Sequence, residues 1–498
     1  MDLPHHDIAI VGSGFSGLAM AIALRQAGRH DFVVLERADS VGGTWRDNHY
    51  PGCACDVPTP LYSLSAAPNP DWSHLYARSG ELRAYMEDVT DRFGIRPHLR
   101  LQTEMTGAAW DDATQRWTVE AAGEPLLTCR MLIGGFGGLT QPSFPKVPGL
   151  DSFRGPVFHS ADWNHDVELE GKRVAVIGTG ASAIQLVPRV ARQAEHLTVF
   201  QRTPPWVMPK LDHRIPAFER WLFRHVPATQ KALRGVIFGI TESLAIPITR
   251  RPALLRGLEA VARWNIRRAI SDPDLRRKLT PEYRLGCKRI LVANDWYPAL
   301  ARENVTVQTG GIVEVFPRGL VAGDGTEHEV DVIVCGTGFD IEGSFNGTDI
   351  RGRNGVSLRE LWSRGIEAHR GTTVAGFPNL AFLCGPNTGT GSTSQVYMIE
   401  SQVHYVMEML RELDARGMAV AEVRADAQRR YNDRIQARMA DTVWLSGGCN
   451  SWYLDDTGRN RTLYPGLSSA FRRETRDFRV AEYDLEPVRA PAPEPVAA

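Results

Sequence analysis

The first chemistry legible in this chain lies in two glycine-rich turns. Gly12-Ser13-Gly14-Phe15-Ser16-Gly17 follows an apolar strand-like run, residues 7–11, and precedes Leu18, Ile22 and Ala23 at helical spacing. In a G-x-G-x-x-G of this placement the first glycine permits a tight turn and the second lets the backbone approach a pyrophosphate. The third lets helix and strand pack closely, and the helix N-terminus meets the negative charge. Glu36 follows a second apolar run, residues 32–35, where an acid accepts from a ribose hydroxyl. Gly178-Thr179-Gly180-Ala181-Ser182-Ala183 repeats the pattern with alanine third, and the count that leads from Gly12 to Glu36 leads from Gly178 to Arg202. A carboxylate there would repel a 2′-phosphate, whereas a guanidinium grips it in a bidentate fork. The first turn is therefore expected to hold an adenine dinucleotide without that phosphate, and the second to prefer NADPH. Two such cofactors imply electron flow from nicotinamide to flavin. A disulfide acceptor would need a C-x-x-C, which the chain lacks; oxygen is the remaining general acceptor.

These turns need sheets and helices to hold them. The chain has 498 residues, enough for about three domains. Its 43% apolar and 23% charged residues are ordinary for a globular protein and exclude disorder or a disulfide scaffold for the whole. With 57 basic and 58 acidic residues, no global field attracts nucleic acid. Residues 173–177, a helix through about 194 and residues 197–200 form a second βαβ unit, so the reading is α/β. It has two Rossmann-like dinucleotide-binding domains and an inserted helical subdomain. The expected division is 1–140 and 375–498 for FAD, 150–205 and 286–345 for NADPH, 206–285 for the helical insertion, and 141–149 and 346–374 as linkers. The most apolar stretch, 232–248, is interrupted by Arg234 and Glu242 and reads as a packed or amphipathic helix rather than a membrane span. Arg267, Arg268, Arg276 and Arg277 read as a solvated helix face, and the Pro/Ala-rich tail from about 487 as unstructured. Seven cysteines without zinc spacing point to reduced thiols in a cytoplasmic protein and to no metal. The segment before the first strand has no signal-peptide core.

Further motifs surround the turns. Gly42-Gly43-Thr44-Trp45 is followed by Tyr50-Pro51-Gly52 and Cys55-Asp56, and FRGPVFHSADWN sets Phe153, Gly155, His159 and Trp163 in F-x-G-x-x-x-H-x-x-x-W order. Here the sequence resembles the type I Baeyer–Villiger monooxygenases, class B flavoproteins that use FAD and NADPH. Their fingerprint ends in proline or aspartate after the tryptophan, where this chain has Asn164. The resemblance continues through QRTPPW (201–206), GCKR (286–289), CGTGFD (335–340), GFPNL (376–380) and NSWY (450–453), nearly the whole chain. Flavin-containing monooxygenases and N-hydroxylases share the double glycine turn, so the fingerprint carries the distinction.

The resemblance implies that a small-molecule ketone and O2 are the substrates and that a C4a-peroxyflavin inserts oxygen to give an ester or lactone. The alternative is oxidation of an amine or sulfide heteroatom; an NADPH-dependent reductase and an idle flavin-binding protein are further rivals. Arg289 matches the family's active-site arginine, a fixed cation beside the flavin, and Asp56 the acid that holds it. Gly43, Thr44 and Trp45 are expected to line the FAD site, and Thr203, Lys288 and Arg202 the NADPH site. His159 and Trp163 are expected to couple the nucleotide domains, Trp452 to ride on a lid over NADP and substrate, and Phe339-Asp340 to lie in the returning linker. The helix opened by residues 385–392 is expected to aim backbone amides at the flavin. Neither the identity of the ketone nor the oligomeric state is legible.

Overall fold

The computed structural model describes residues 3–340, 343 and 347–489. The expected boundaries that fall at 1, 341–342, 344–346 and 490–498 lie outside them. The run DIAIV is buried on both faces because it is central in a parallel array, His5–Val11, flanked by Phe32–Leu35 and Glu124–Gly134. The first helix, Phe15–Gln26, leaves the glycine turn two residues before the expected start and is buried almost throughout. This eight-stranded sheet extends through the antiparallel strands Arg116–Ala121 and Met105–Asp111 on one side and Leu99–Arg100 on the other.

Two further strands return to this sheet from the C-terminal half of the chain. Leu380–Phe382 pairs with Glu124–Gly134, and Asp349–Arg351 pairs with Met105–Asp111. Residues 346–374, expected as linker, thus supply a strand; three residues of extended backbone are too few to show a period in sequence. The tail differs as well. Tyr483–Pro487 pairs antiparallel with Met418–Val423, and the Arg489 backbone N–H donates to Gln115, so residues 483–489 are structured.

The second sheet is all parallel, in the order Val305–Thr309, His196–Gln201, Arg173–Ile177, Val332–Cys335, Val157–His159. Helices Ala217–His225, Pro227–Ser243, Ala245–Thr249, Leu255–Ala269 and Pro273–Leu279 occupy the span expected as a helical insertion. Residues 227–249 are long and apolar enough to cross a membrane by length and composition alone. Two of the three charges inside that span are used on the protein itself: Arg234 donates to the Pro60 and Ser63 carbonyls at 2.8 Å each, and Glu242 accepts from the Ser468 and Ser469 backbone. Phe238 stacks on Tyr397, while Val236 and Ile240 are about 60% exposed, so the helix lies amphipathically on the surface.

One expectation about the cysteines fails. Cys287 and Cys449, 162 residues apart, form a disulfide. The fold brings GCKR and the 445–453 loop together, which linear spacing cannot reveal. The remaining five are thiols.

Candidate active site

Both glycine turns sit where neighbouring parallel strands end together and the connections leave in opposite directions, the position at which such sheets leave a crevice. Gly12 has φ +92°, and a Cβ there would stand 2.7 Å from the Gly135 carbonyl oxygen. Gly178 has φ +108°, and its Cβ would stand 2.3 Å from the Gly336 carbonyl oxygen. No other residue type fits either turn. The turns open into a single cavity of about 1490 Å³ that also reaches Glu36, Asp56, Arg202, Arg289 and Trp452.

At the first turn, Glu36 is 4% exposed. It accepts from the Ser13 N–H at 2.9 Å and hydroxyl at 2.7 Å, from the Ala38 N–H at 3.0 Å, and from Arg46 at 2.9 Å. Burial alone would raise its pKa; the Ser13, Ala38 and Arg46 donors outweigh burial and hold it below the usual range. Gly14 and Gly43 face each other closely, since a Cβ on Gly43 would lie 3.1 Å from the Gly14 Cα. Thr44 and Trp45 line the same wall, with the Trp45 indole donating to Tyr62 at 3.2 Å. This bare-backbone cradle, closed by a buried carboxylate, fits an adenine dinucleotide. Gly17 does not face the cavity and serves helix packing.

At the second turn, Thr179 donates to the Thr203 carbonyl at 3.1 Å. Arg202 forms no ion pair among the described residues and lines the cavity with Lys288. The Lys288 ammonium lies 5.3 Å from the centre of the Tyr283 ring. Burial lowers its pKa, and the charge of Arg202 lowers it further. Two cations that disfavour each other, with no acid between them, fit a dianionic phosphate. Ala183 is fully buried against Gly336, so it too serves helix packing rather than lining.

Between the two turns, Arg289 donates to Asp56 through Nε at 2.6 Å and Nη2 at 2.8 Å. The Asp56 charge raises the Arg289 pKa against the opposing effect of burial. Burial pushes the Asp56 carboxyl up, and Arg289 more than reverses it, with help from Lys210. The result is a fixed ion pair whose guanidinium faces the cavity. Lys210 has no role predicted from sequence; it is half-buried, with Nζ 4.7 Å from the Tyr76 ring centre and 3.5 Å from the Cys55 carbonyl. Tyr453, like Lys210, carries no role predicted from sequence. It is 3% exposed, packs in one buried cluster with Cys287 and Trp444, and has its pKa raised to about 12, chiefly by burial. Its partner Trp452 is 56% exposed at the cavity rim, so it is not a core residue.

The fingerprint residues stand apart from the cavity. Phe153 packs beneath the second sheet, and a Cβ on Gly155 would fall 2.3 Å from the Asp331 carbonyl oxygen. His159 is 1% exposed, accepts from the Ala161 N–H at 3.1 Å, and lies 5.6 Å from the rings of both Phe144 and Phe339. Burial lowers its pKa, which keeps it neutral. Trp163 shares a cluster with Tyr50 and Cys53 from the first half of the chain and Val174 from the second sheet. Gln185 adds a polar link, accepting from the Tyr50 hydroxyl at 2.9 Å and donating to the Ala54 carbonyl at 2.9 Å. Asn164, where the resemblance predicts proline or aspartate, accepts from the Asp166 N–H at 2.9 Å and closes a turn of its own.

Residues 5–225 match a family model described as flavin-binding monooxygenase-like. A Baeyer–Villiger monooxygenase of Streptomyces coelicolor is 51% identical over 495 residues, which is 99% of this chain and 95% of that one. Another, from Pseudomonas aeruginosa, is 47% identical and covers 97% of this chain and 92% of its own. Among solved structures, an oxidised steroid monooxygenase bound to NADP superimposes with a TM-score of 0.86 at 31% identity, over 97% of this chain and 99% of that one. A cyclohexanone monooxygenase from a Rhodococcus species, bound to NADP+, matches with a TM-score of 0.86 at 27% identity, over 98% and 100%.

Proposed function

The chain belongs to the Baeyer–Villiger monooxygenases, and from that premise we propose how its own residues perform the reaction. It is an NADPH-dependent flavin monooxygenase that uses FAD. The overall change balances as ketone, O2, NADPH and a proton going to ester or lactone, NADP+ and water. Hydride acceptance from NADPH and activation of oxygen would be the chemistry supplied by FAD when bound; the protein supplies binding, position and charge.

The first turn and Glu36 hold FAD on the larger sheet. The second turn with Thr203, Arg202 and Lys288 holds NADPH on the all-parallel sheet, the two cations reading its 2′-phosphate. Arg289 is the catalytic cation. When a ketone carbonyl is attacked, its oxygen gains negative charge, and a guanidinium that is already fixed needs no reorganisation to meet it. Asp56 positions Arg289 through the bidentate pair and keeps it charged. Trp452 covers the rim and excludes water from the reacting centre. His159 and Trp163 transmit contact between the two nucleotide-binding halves and take no part in proton transfer.

The observation that carries this reading is the Arg289–Asp56 pair, set in one cavity between the two glycine turns. Mass analysis of products from ketone and sulfide panels with NADPH tests it. Esters or lactones bearing one added oxygen are expected; sulfoxides with no ester from any linear, cyclic or aromatic ketone would overturn it.

A further inference from the structure

We infer that the Cys287–Cys449 disulfide is a thiol-sensitive clamp that holds the Trp452 loop onto the segment bearing Arg289. It rests on the roles of Arg289 and Trp452 given above. Cys287 stands two residues before Arg289, and Cys449 three before Trp452. The bond therefore ties the cation directly to the cover of the site.

The loop has firm anchors on either side, and between them Ser451 and Tyr453 are buried. Val443 and Trp444 are buried upstream, and Asn460 and Leu463 downstream. From Gly447 to Tyr453 the chain is neither helix nor strand. Three ties hold it there. The Arg284 N–H donates to the Gly447 carbonyl at 2.9 Å, the Tyr453 ring packs in one buried cluster with Cys287 and Trp444, and the disulfide joins the sulfurs. Gly447 is pressed against the clamp, since a Cβ there would lie 2.7 Å from the Cys287 Cβ. Non-covalent contacts of an irregular segment open far more readily than a covalent bond, so the disulfide is the tie that resists opening.

The clamp is reached from one side. Cys287 is fully buried, whereas Cys449 is partly exposed between the exposed Gly448 and Asn450. A dithiol's thiolate attacks the Cys449 sulfur, the Sγ–Sγ bond breaks, and Cys287 leaves as a thiolate that takes a proton. The second thiol of the reductant then displaces Cys449, which is protonated in turn, and the reductant departs as its own disulfide. Two electrons and two protons pass to the protein. With the clamp open, Trp452 no longer stays at the rim, water enters, and NADPH is spent without ester.

The test uses the full-length FAD-loaded enzyme with and without dithiothreitol, together with Cys449→Ser. Alkylation and mass spectrometry count thiols, hydrogen exchange follows residues 447–453, and ester formed is measured per NADPH consumed. Reduction is expected to raise the thiol count by two. It should speed exchange in 447–453 on the order of tenfold or more and cut ester per NADPH by about twofold or more. Cys449→Ser should reproduce the last two effects and no longer respond to dithiothreitol; if it fails to fold, the reduced native enzyme alone decides. Arg289→Ala should lose ester with exchange unchanged, which separates a fault in the catalytic reading from a fault in the clamp. Faster exchange with unchanged coupling upholds the clamp and removes the lid role from Trp452. Seven thiols in the unreduced enzyme, or complete reduction without faster exchange, overturns the clamp.

Discussion

Arg289→Ala should abolish oxygen insertion while sparing reduction of the flavin by NADPH, and its partner decides how the loss is read. The pair is bidentate at 2.6 and 2.8 Å, with the arginine side chain 35% and the aspartate 25% exposed. Losing one donor to a developing oxyanion costs roughly 10²–10³ in rate, about 2.7–4 kcal/mol. Arg289→Ala also strands a carboxylate. In a fully buried pair that costs about 3–5 kcal/mol; with this much exposure, and with Lys210 nearby, about 1–3 kcal/mol is the reasonable range. The double variant Arg289→Ala/Asp56→Ala removes the stranded charge. Its thermal stability should recover most of that loss, while ester formation stays down by about 10² or more. Anaerobic stopped-flow measures flavin reduction, and product quantification measures insertion. If Arg289→Ala makes ester within about threefold of the native rate, less than about 1 kcal/mol of barrier, the cation has no part in the chemistry. If the double variant regains ester, Arg289 serves only to neutralise Asp56.

Arg202→Ala should raise KM for NADPH by about 10- to 100-fold, as expected for a lost charged hydrogen bond, and leave KM for NADH within about twofold; a parallel rise in both would refute the 2′-phosphate assignment. Gly155→Ala should lower the melting temperature, because its Cβ would press on the Asp331 carbonyl at 2.3 Å and overpacking costs about 1–3 kcal/mol; an unchanged melt would remove steric need as the reason for glycine there. Glu36 and Asp56 both have pKa values below the ordinary carboxylate range in the folded state. Their contribution is complete above the unfolded values of about 4 and is lost as pH falls through the lowered folded values. Glu36→Gln should therefore flatten the acid limb of the stability–pH curve, and an identical slope would show that the carboxylate is not stabilised by folding.

What could be read in advance were features that local sequence must encode. A phosphate-binding turn needs its glycines at fixed offsets, so residues 12–17 and 178–183 predict two cofactor sites, and the residue 24 positions on predicts how they differ. Features made by distant segments left no such mark. Cys287 and Cys449 are 162 residues apart with nothing in their spacing to join them. Lys210 became a neighbour of Asp56 only through the fold, and Asp349–Arg351 became a strand only because Met105–Asp111 offered an open edge. Asp56 and Arg289 were joined by resemblance alone; 233 residues separate them, and only the structure shows both hydrogen bonds.

The near-zero net charge conceals how the two cofactors are told apart. Each half uses the same device, a glycine whose missing Cβ lets its turn close on a carbonyl at the end of a parallel neighbour: Gly12 on Gly135, Gly178 on Gly336. On the proposed assignment a shared device binds a pyrophosphate in either half and cannot choose between cofactors. The choice falls to charged side chains set beyond the turn. At one end a carboxylate is saturated with donors and held charged, which repels a 2′-phosphate. At the other, two cations without an acid raise each other's cost until an anion arrives. Exchanging the two sites would therefore need a change of electrostatics beyond the turns and no change in the turns themselves. Arg202→Glu with Lys288→Glu should accordingly turn the second site from NADPH toward NADH without disturbing FAD, because Gly178 and its carbonyl partner stay as they are. Steady-state kinetics with both nicotinamides measures the turn, and an unchanged preference for NADPH would refute it.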